Sequence, residues 1–458
     1  MKEEIVERLK KIVGDQYVIT RKEALEAYLV DETPDYVRPK PADHVVLVKP
    51  GSTEEVAAVL KLTNQEKIPV YPRGGGTGLV GAAIPTSSGI ILSLERMNKI
   101  AIDKDNLFAE AEAGVTLAQL IEEADKAGLF FPAHPGDEGA QIGGLVACNA
   151  GGSRALKTGV MRSYVKGIEV VLPTGEVLRL GGKLLKDNAG YDIMQLFIGS
   201  EGTLGVITKA YIRLYPRYEH TATLIVPFDD RLKAIKAVPK ILHSGIIPLA
   251  LEYFDRDLAE ETAKMLGLSW PVAEGSTYLM IILAEPSEEA LYAELEKIAE
   301  VCNTAGAMEP FIAETRREQE AILKIRSSLY EYLKPNVVDI LDVTVPPASI
   351  GELMEEIAKL EEKYGVRIPT YGHAGDGNLH PHILRYEGWT DEMYDKLRNQ
   401  IYEAALRLGG TITGEHGIGA LRRKTLKKYY DAKRIEIMKA IKKIFDPNNI
   451  LNPDKVIP

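Results

Sequence analysis

The chain has 458 residues, of which 45% are hydrophobic and 27% are charged, a composition typical of globular proteins long enough to form two or three domains. Its formal net charge of −10 excludes the basic surface that a nucleic-acid-binding protein needs. Two cysteines, Cys148 and Cys302, are too few for a four-cysteine zinc site or an iron–sulfur cluster, and their apolar neighbours predict buried free thiols.

The N-terminus and the hydropathy pattern argue against secretion and membrane insertion. Acidic residues stand where a signal peptide needs positive charge. No apolar run approaches the ~20 residues of a membrane-spanning helix. We therefore expect a cytoplasmic protein without an integral membrane segment.

The first part of the chain predicts alternating short strands and helices. Residues 1–41 predict two amphipathic helices, the second over 24–29, and then a proline-rich connector. Ser52 and Thr116 each begin a helix as a capping residue, and Gly128 ends the second of these helices. Strands are predicted over 45–48, 68–71, 90–94, 168–172 and 177–180. This alternation is an α/β pattern.

Beyond Pro216 the predicted elements become longer, which places a domain boundary near that residue. Long helices are predicted over 288–300, 318–332, 350–364 and 392–408, with strands near 278–283 and 339–345. We expect these elements to form a second domain.

The segment 72–81, with sequence PRGGGTGLVG, contains a formal G-x-G-x-x-G pattern. A dinucleotide-binding Rossmann motif requires a helix to begin at its last glycine. Here residues 85–89 are turn formers and the next strand begins at Ile90, so no room is left for that helix. The remaining interpretation is a loop of free backbone amides that binds a pyrophosphate.

Two more glycine-rich segments follow, at 139–152 (GAQIGGLVACNAGG) and 199–208 (GSEGTLGVIT). Together with PRGGGTG and the NAGYD segment at 188–192, they resemble the FAD-binding domain of the vanillyl-alcohol-oxidase flavoprotein superfamily. Within it the chain is most similar to the group of the glycolate oxidase catalytic subunit, D-lactate dehydrogenase and D-2-hydroxyglutarate dehydrogenase. The resemblance runs from about Ala42 to the C-terminus.

This resemblance implies an α+β fold with four parts. They are an N-terminal helical arm (1–41), a two-subdomain FAD-binding domain of the p-cresol methylhydroxylase (PCMH) type (42–216), a mixed α+β, ferredoxin-like substrate domain (217–405) and a C-terminal segment that returns to the flavin (406–458).

The resemblance also implies the residues that bind FAD. The first glycine loop lacks the histidine that attaches flavin covalently in some relatives, so FAD is expected to be non-covalent. His134 stands where many relatives have an acid. The implied cofactor-binding residues are Pro72, Arg73, Gly74, Gly75, Gly76, Thr77, Gly78, Pro135, Gly136, Gly143, Gly144, Asn149, Gly151, Gly152, Glu201, Gly205, Ile207 and Asn452.

Four of the eight histidines fall in two short motifs, GHAGDGNLHPH at 372–382 and TGEHGIG at 413–419. Two histidines with a distant Glu-His pair are compatible with a site of two histidines and one carboxylate that leaves open positions for a substrate. The resemblance implies that His373, His380 and Glu415 bind a divalent metal ion, zinc, manganese or iron. It further implies that His416 is the catalytic base and that Arg326 clamps the substrate carboxylate; the role of His382 is left open.

The implied reaction is FAD-dependent oxidation of a small D-2-hydroxy acid, D-lactate or glycolate, to the 2-oxo acid by hydride transfer to flavin N5. Ile340 and Leu341 stand where hydroxyglutarate enzymes have a second cationic residue, which favours a monocarboxylic substrate over D-2-hydroxyglutarate. A non-redox transferase similar to alkyl-dihydroxyacetone-phosphate synthase and a non-enzymatic FAD-binding subunit are the alternatives. The retained histidine motifs speak against both.

The two cysteines are too few to bind an iron–sulfur cluster that would pass electrons onward. We therefore expect a separate acceptor protein, an electron-transfer flavoprotein or an iron–sulfur subunit. Direct reaction with oxygen is the alternative.

Overall fold

The structure is a computed structural model that describes residues 1–458. The chain divides into two units. Unit 1 contains residues 1–150, 160–217 and 415–458, and unit 2 contains residues 151–159 and 218–414. No helix in either unit is long and apolar enough to cross a membrane.

The helices and strands are numbered along the chain. The helices are α1 (Glu3–Val13), α2 (Thr53–Glu66), α3 (Leu117–Lys126), α4 (Ile142–Cys148), α5 (Ala155–Thr158), α6 (Met161–Tyr164), α7 (Met194–Phe197), α8 (Arg231–His243), α9 (Arg256–Met265), α10 (Glu288–Thr304), α11 (Arg316–Ser327), α12 (Leu329–Leu333), α13 (Ile350–Tyr364), α14 (Asp391–Arg407), α15 (Arg423–Tyr429) and α16 (Ala432–Phe445). The strands are β1 (Val18–Ile19), β2 (Val45–Val48), β3 (Val70–Arg73), β4 (Gly89–Ser93), β5 (Ile100–Asp103), β6 (Phe108–Glu112), β7 (Leu129–Phe130), β8 (Val165–Val171), β9 (Val177–Gly181), β10 (Val206–Arg213), β11 (Tyr215–Pro216), β12 (His220–Phe228), β13 (Ala250–Asp255), β14 (Thr277–Glu285), β15 (Phe311–Ala313), β16 (Val337–Ile340), β17 (Val343–Thr344), β18 (Thr370–His373) and β19 (Asn378–Leu384).

Unit 1 is built on two larger sheets. One has the order β1-β2-β4-β3, in which β4 pairs in parallel with both β2 and β3. The other is antiparallel, with the order β5-β6-β10-β8-β9. The parallel strands are buried on both faces, as their continuous apolar sequences require.

Capping residues fix where the helices of unit 1 begin. The Ser52 side chain accepts a hydrogen bond from the Glu55 amide at the start of α2. Thr116 and Gln119 form a complete capping box at the start of α3. Both predicted helix starts are confirmed.

The C-terminal segment of unit 1 packs against its parallel sheet. Leu451 forms an isolated parallel bridge with Val70 on β3, and the Asn452 amide donates to the Val70 carbonyl. Ile450 and Leu451 are buried in the same hydrophobic cluster as Ile90. The end of the chain therefore lies beside the strand that leads into the first glycine loop.

Unit 2 contains one eight-stranded sheet. Seven strands follow the order β15-β12-β14-β13-β18-β19-β16, and β17 pairs with β19. Neighbouring strands in this sheet are antiparallel. α8 packs on it with a buried apolar face. α13 packs against α8 and has the predicted bounds.

Three local predictions are wrong. Residues 22–24 and 26–28 form 3-10 turns instead of a second N-terminal helix, and the Tyr28 hydroxyl donates to Glu95 on another part of the unit. The helix predicted over 318–332 is interrupted at Ser328, a residue type with modest helix propensity whose backbone leaves the helical region. The strand predicted over 339–345 is divided into β16 and β17 by Leu341 and Asp342.

Both cysteines are free thiols. Cys302 is buried as predicted, whereas Cys148 is partly exposed at the end of α4.

Candidate active site

The sheet of unit 2 carries a buried carboxylate in the middle of an apolar strand. Glu252 lies on β13 and is fully buried. Its Oε1 lies 2.7 Å from Nδ1 of His373. Its Oε2 accepts hydrogen bonds from Nε (2.9 Å) and Nη2 (2.5 Å) of Arg326. Glu252 therefore links two residues that the sequence predicts as functional, and it was not itself predicted.

Electrostatics keep this carboxylate charged. Burial by itself would raise the pKa of Glu252, but His373 and Arg326 together hold that pKa below its ordinary value. Because Nδ1 of His373 contacts Glu252, a metal ion would bind this ring through Nε2. The contacts on Nε and Nη2 leave both N–H groups of Nη1 and the second N–H of Nη2 as the remaining donors of Arg326.

A second buried carboxylate, Asp342, holds two loops. Its Oδ1 accepts from the Asn378 side chain (2.8 Å), and its Oδ2 accepts from the Thr413 hydroxyl (2.7 Å) and the Gly414 amide (2.8 Å). Nδ1 of His380 lies 3.6 Å from Oδ1 of Asp342. Asp342 thus joins the first histidine motif to the segment that leads into the second.

Four rings of β18 and β19 pack against one another beside these groups. The rings of His373 and His380 meet edge to face with centroids 5.4 Å apart. The Tyr371 ring stacks on the ring of His382 at 4.7 Å, and the Arg326 guanidinium lies over the Tyr371 ring at 5.0 Å. Nδ1 of His382 contacts the His380 carbonyl at 2.7 Å. In the structure, therefore, His382 stacks on Tyr371 and contacts the backbone of β19.

Gly414 is the last residue of unit 2 and leaves no room for a side chain. A Cβ atom at this position would collide with the Thr344 hydroxyl and lie 2.6 Å from the Asn378 amide nitrogen, so a larger residue would displace the loop. Glu415 and His416 follow directly along the chain and begin the last segment of unit 1. Their side chains are mostly buried, with Nε2 of His416 3.8 Å from Oε1 of Glu415.

Within unit 1, Glu201 binds the loop that follows His416. Its two carboxylate oxygens accept from the backbone amides of Ile418 and Gly419, both at 2.8 Å. Burial raises the pKa of Glu201, and these two amides oppose that rise. The structure therefore gives the Glu201 carboxylate a positioning role, and its predicted contact with the cofactor stays a prediction.

The first glycine loop offers unpaired backbone donors. None of the N–H groups of residues 74–80 donates to a protein acceptor, and the first that does is that of Gly81, to the Thr33 hydroxyl. Gly76 has φ +76, and a Cβ there would collide with the Arg73 guanidinium, so glycine is required on both counts. A run of open amides at the end of a parallel strand fits the pyrophosphate of FAD.

Buried polar atoms near this loop also lack partners. They include Nη1 of Arg73, Oε1 of Gln141 and Oδ1 of Asn452. Buried polar groups normally find hydrogen bonds, so these atoms indicate a place where a polar ligand completes the structure. The residues present therefore fit FAD.

The other predicted cofactor-binding residues divide into open and packed positions. Gly136 and Gly144 face open space. Pro135 and Gly143 are buried, and Asn149 ends α4 with φ +50. Gly205 and Ile207 lie in the hydrophobic interior of the unit, where a Cβ at Gly205 would lie 2.6 Å from Val170. Gly151 and Gly152 belong to unit 2, and His134 contacts Glu138 at 3.3 Å.

Comparison with known proteins identifies the family. Residues 217–456 match the model of "FAD linked oxidases, C-terminal domain", and residues 45–181 match the model of "FAD binding domain". The chain belongs to the FAD-linked oxidases. FAD is thereby established as the cofactor of this FAD-linked oxidase, whereas the non-covalent attachment and the metal ion stay predictions.

Two named relatives cover nearly the whole chain. A D-lactate dehydrogenase of Archaeoglobus fulgidus is 44% identical over 432 residues, which are 94% of this chain and 96% of that protein. The glycolate oxidase subunit GlcD of Bacillus subtilis is 37% identical over 463 residues, which are 99% and 96% of the two chains.

A solved structure confirms the predicted fold. p-Cresol methylhydroxylase with bound substrate superposes with a TM-score of 0.78 at 18% identity, over 99% of this chain and 96% of that chain. At this identity the likeness concerns the fold alone. The predicted α+β architecture with a PCMH-type FAD-binding domain is therefore confirmed.

Proposed function

We propose that this FAD-linked oxidase converts a small D-2-hydroxy acid, D-lactate or glycolate, to the 2-oxo acid. The observation that carries the proposal is the pairing of His373 and Arg326 on the buried carboxylate of Glu252. It fixes side by side the guanidinium that we assign to the substrate carboxylate and an imidazole that we assign to the metal ion. The names of the relatives from A. fulgidus and B. subtilis support the same substrate class.

In this reaction FAD, when bound, accepts the two electrons and the hydrogen of the substrate α-carbon. We assign the substrate carboxylate to Nη1 of Arg326, because Nε and Nη2 are bound to Glu252. We assign the hydroxyl proton to His416, whose loop is held by Glu201 through the Ile418 and Gly419 amides. The protein thus contributes orientation and a proton acceptor.

We further propose that His373, His380 and Glu415 hold a divalent metal ion. The donor chemistry fits, since a histidine whose Nδ1 contacts a carboxylate is the usual arrangement for metal binding through Nε2. The adjacent ring of His380 and the carboxylate of Glu415 complete a set of nitrogen and oxygen donors suited to zinc, manganese or iron. A bound ion would supply Lewis-acid polarisation of the substrate hydroxyl.

Substrate size follows from the absence of a second cation in the Asp342 segment. Ile340 and Leu341 are both buried and apolar. A distal carboxylate placed against them would lose its hydration without gaining a partner. We therefore favour a monocarboxylic substrate over D-2-hydroxyglutarate.

For the electrons we propose a separate acceptor, an electron-transfer flavoprotein or an iron–sulfur subunit. The chain has two cysteines, both free thiols, and an iron–sulfur cluster needs more ligands than these supply. Substrate-dependent peroxide formation by the holoenzyme at the rate seen with an artificial dye would contradict this part of the proposal.

The substrate is tested by anaerobic mixing of the holoenzyme with D-lactate, glycolate, D-2-hydroxyglutarate or L-lactate while the flavin absorbance is followed. We expect bleaching by D-lactate or glycolate and none by L-lactate. The variant His416→Asn should retain the flavin spectrum and bleach about 10²–10⁴-fold more slowly, the usual contribution of a general base. The control His243→Asn removes an exposed histidine whose Nδ1 contacts the Pro239 carbonyl and should behave as wild type.

Other outcomes would overturn specific parts. Bleaching by D-2-hydroxyglutarate alone would reject the monocarboxylic substrate, and normal bleaching by His416→Asn would reject the base. Bleaching by none of the hydroxy acids would reject the proposed reaction while leaving FAD binding intact.

A further inference from the structure

Two largely buried lysines near the C-terminus of unit 1 differ in whether the protein supplies hydrogen-bond acceptors for their Nζ atoms. Lys442 on α16 donates from Nζ to the carbonyls of Thr203 (2.7 Å) and Leu451 (2.8 Å) and to the carboxylate of Asp446 (2.5 Å). An ammonium group has three protons, so Lys442 is fully paired inside the protein.

Lys455 is even more deeply buried, at 2% exposure. Its Nζ has no hydrogen-bond partner, and its ammonium lies 5.9 Å from the centre of the Tyr71 ring. Burial lowers the pKa of Lys455 to about 8, against an opposing effect of Asp31. Burying an ammonium without an acceptor costs free energy of folding. We therefore expect a bound ligand to supply the missing acceptor.

The neighbourhood of Lys455 belongs to the flavin-binding part of unit 1. Tyr71 lies on β3, which leads into the loop of open amides. The Val456 amide, next in the chain, donates to the Gly419 carbonyl in the loop that follows His416. Three residues before Lys455, Oδ1 of Asn452 is also buried without a partner. An unpaired donor and an unpaired acceptor therefore occur together at the end of the chain.

We propose that Lys455 binds FAD directly, with its ammonium paired to a negatively charged part of the cofactor. Two parts of FAD have this chemistry. One is the pyrophosphate, and the other is the pyrimidine edge of the flavin ring, which becomes negatively charged when the ring takes up two electrons and one proton. The proposal rests on FAD binding, which the family establishes, and is independent of the substrate.

The test compares Lys455→Met, Lys455→Arg and the control Lys442→Met in the full-length protein. Without FAD, Lys455→Met should unfold at a higher urea concentration than wild type, because it removes an unpaired buried charge. Its dissociation constant for FAD should nevertheless rise about tenfold or more, as expected for a lost charge-assisted contact. Lys455→Arg should retain most of the affinity.

The control should show the opposite signature. Lys442→Met removes a fully paired ammonium and leaves the Asp446 carboxylate buried, so it should unfold at a lower urea concentration. Its dissociation constant for FAD should stay within about twofold of wild type.

A second measurement distinguishes the two parts of FAD. Sulfite adds to the oxidised flavin ring and places negative charge on its pyrimidine edge, so its dissociation constant reports the charge near that edge. A tenfold weaker sulfite affinity in Lys455→Met, or a two-electron potential lower by about 30 mV, assigns the ammonium to the ring. Weaker FAD binding with unchanged sulfite affinity and potential assigns it to the pyrophosphate.

Two results would overturn the proposal. One is a Lys455→Met protein that loses stability without FAD and keeps its affinities for FAD and sulfite. Lys455 also lines a cavity with the basic residues Lys439 and Lys443. If inorganic phosphate stabilises wild type as much as FAD does, and Lys455→Met abolishes only that phosphate effect, the group binds a free anion instead.

Discussion

The site carboxylates of unit 2 and the buried polar atoms around the glycine loop of unit 1 differ in whether the protein itself supplies their hydrogen-bond partners. In unit 2 the carboxylates of Glu252 and Asp342 are bound on both oxygens by side chains and backbone of the same unit. In unit 1, buried atoms of Arg73, Asn452 and Lys455 have no partner. The first arrangement holds its geometry without a ligand, whereas the second gains stability when the cofactor arrives. The substrate side is thus preorganised, and the cofactor side is completed by FAD.

The strongest test of the preorganised side is Glu252→Gln. This change leaves the buried Arg326 guanidinium without its counter-charge, which should lower the free energy of unfolding by about 3–5 kcal/mol and abolish flavin reduction by the hydroxy acid. Urea unfolding and anaerobic bleaching measure the two effects. The matched control Asp255→Asn removes another carboxylate of β13, which pairs with Arg231. It should lose stability and keep its bleaching rate, and equal bleaching rates in both variants would contradict the role of Glu252.

Asp342→Asn should have the next largest effect. An amide has only one acceptor oxygen, so it cannot accept from Asn378 at one end and from Thr413 and Gly414 at the other. We therefore expect a loss of about 1–3 kcal/mol of stability and slower bleaching. The control Asp339→Asn alters a buried aspartate of β16 that accepts from the Tyr394 hydroxyl. Slower bleaching confined to Asp342→Asn would support the anchoring role, whereas a parallel decrease in the control would reduce it to general destabilisation.

Gly76→Ala tests the cofactor side. Alanine at φ +76 costs about 1–2 kcal/mol, and its Cβ would also displace the Arg73 guanidinium from the loop. We expect the dissociation constant for FAD to rise about tenfold, measured by flavin fluorescence on dilution. Gly128→Ala has nearly the same backbone strain, with φ +73, and open space for the Cβ. It should lose comparable stability and bind FAD as wild type does, and weaker binding in both variants would mean that strain alone is responsible.

The smallest effect concerns pH. Folding holds the pKa of Glu252 below its ordinary value of 4.5, so the folded state binds fewer protons there than the unfolded state. The resulting stability is fully present above pH 4.5 and is lost as the pH falls through the folded pKa. Urea midpoints between about pH 5 and about pH 3 should therefore fall less steeply for Glu252→Gln than for wild type. Equal slopes would show that this carboxylate does not titrate as described.

The sequence predicted those features whose signals are local. The glycine loop at 72–81 and the histidine motif at 372–382 are contiguous, and helices beginning at Ser52 and Thr116 carry their own capping residues. The short 24–29 segment has no such cap, and the predicted helix there is wrong. Local patterns therefore suffice for motifs and capped helices.

The residues that hold the site side chains in place could not be predicted from local sequence patterns. Glu252 and His373 are 121 positions apart, and Asp342 and Gly414 are 72 positions apart. The available signal was an acid, Glu252, between apolar residues in the interior of the ALEYFD strand, which indicates a buried charge but does not identify its partner. For Lys455 the sequence contained no signal at all. Lys455 and Lys442 differ only in whether the folded protein supplies hydrogen-bond acceptors for Nζ.

The order in which the chain is synthesised determines when each unit can be completed. Unit 2 ends at Gly414, whereas unit 1 needs residues 415–458, including Asn452 and Lys455. At about 5–20 residues per second, unit 1 waits on the order of 10–40 s while the ~200 residues of unit 2 are translated. FAD binding therefore becomes possible only after the last segment of unit 1 has been made, so we expect a chain interrupted before residue 415 to stay colourless.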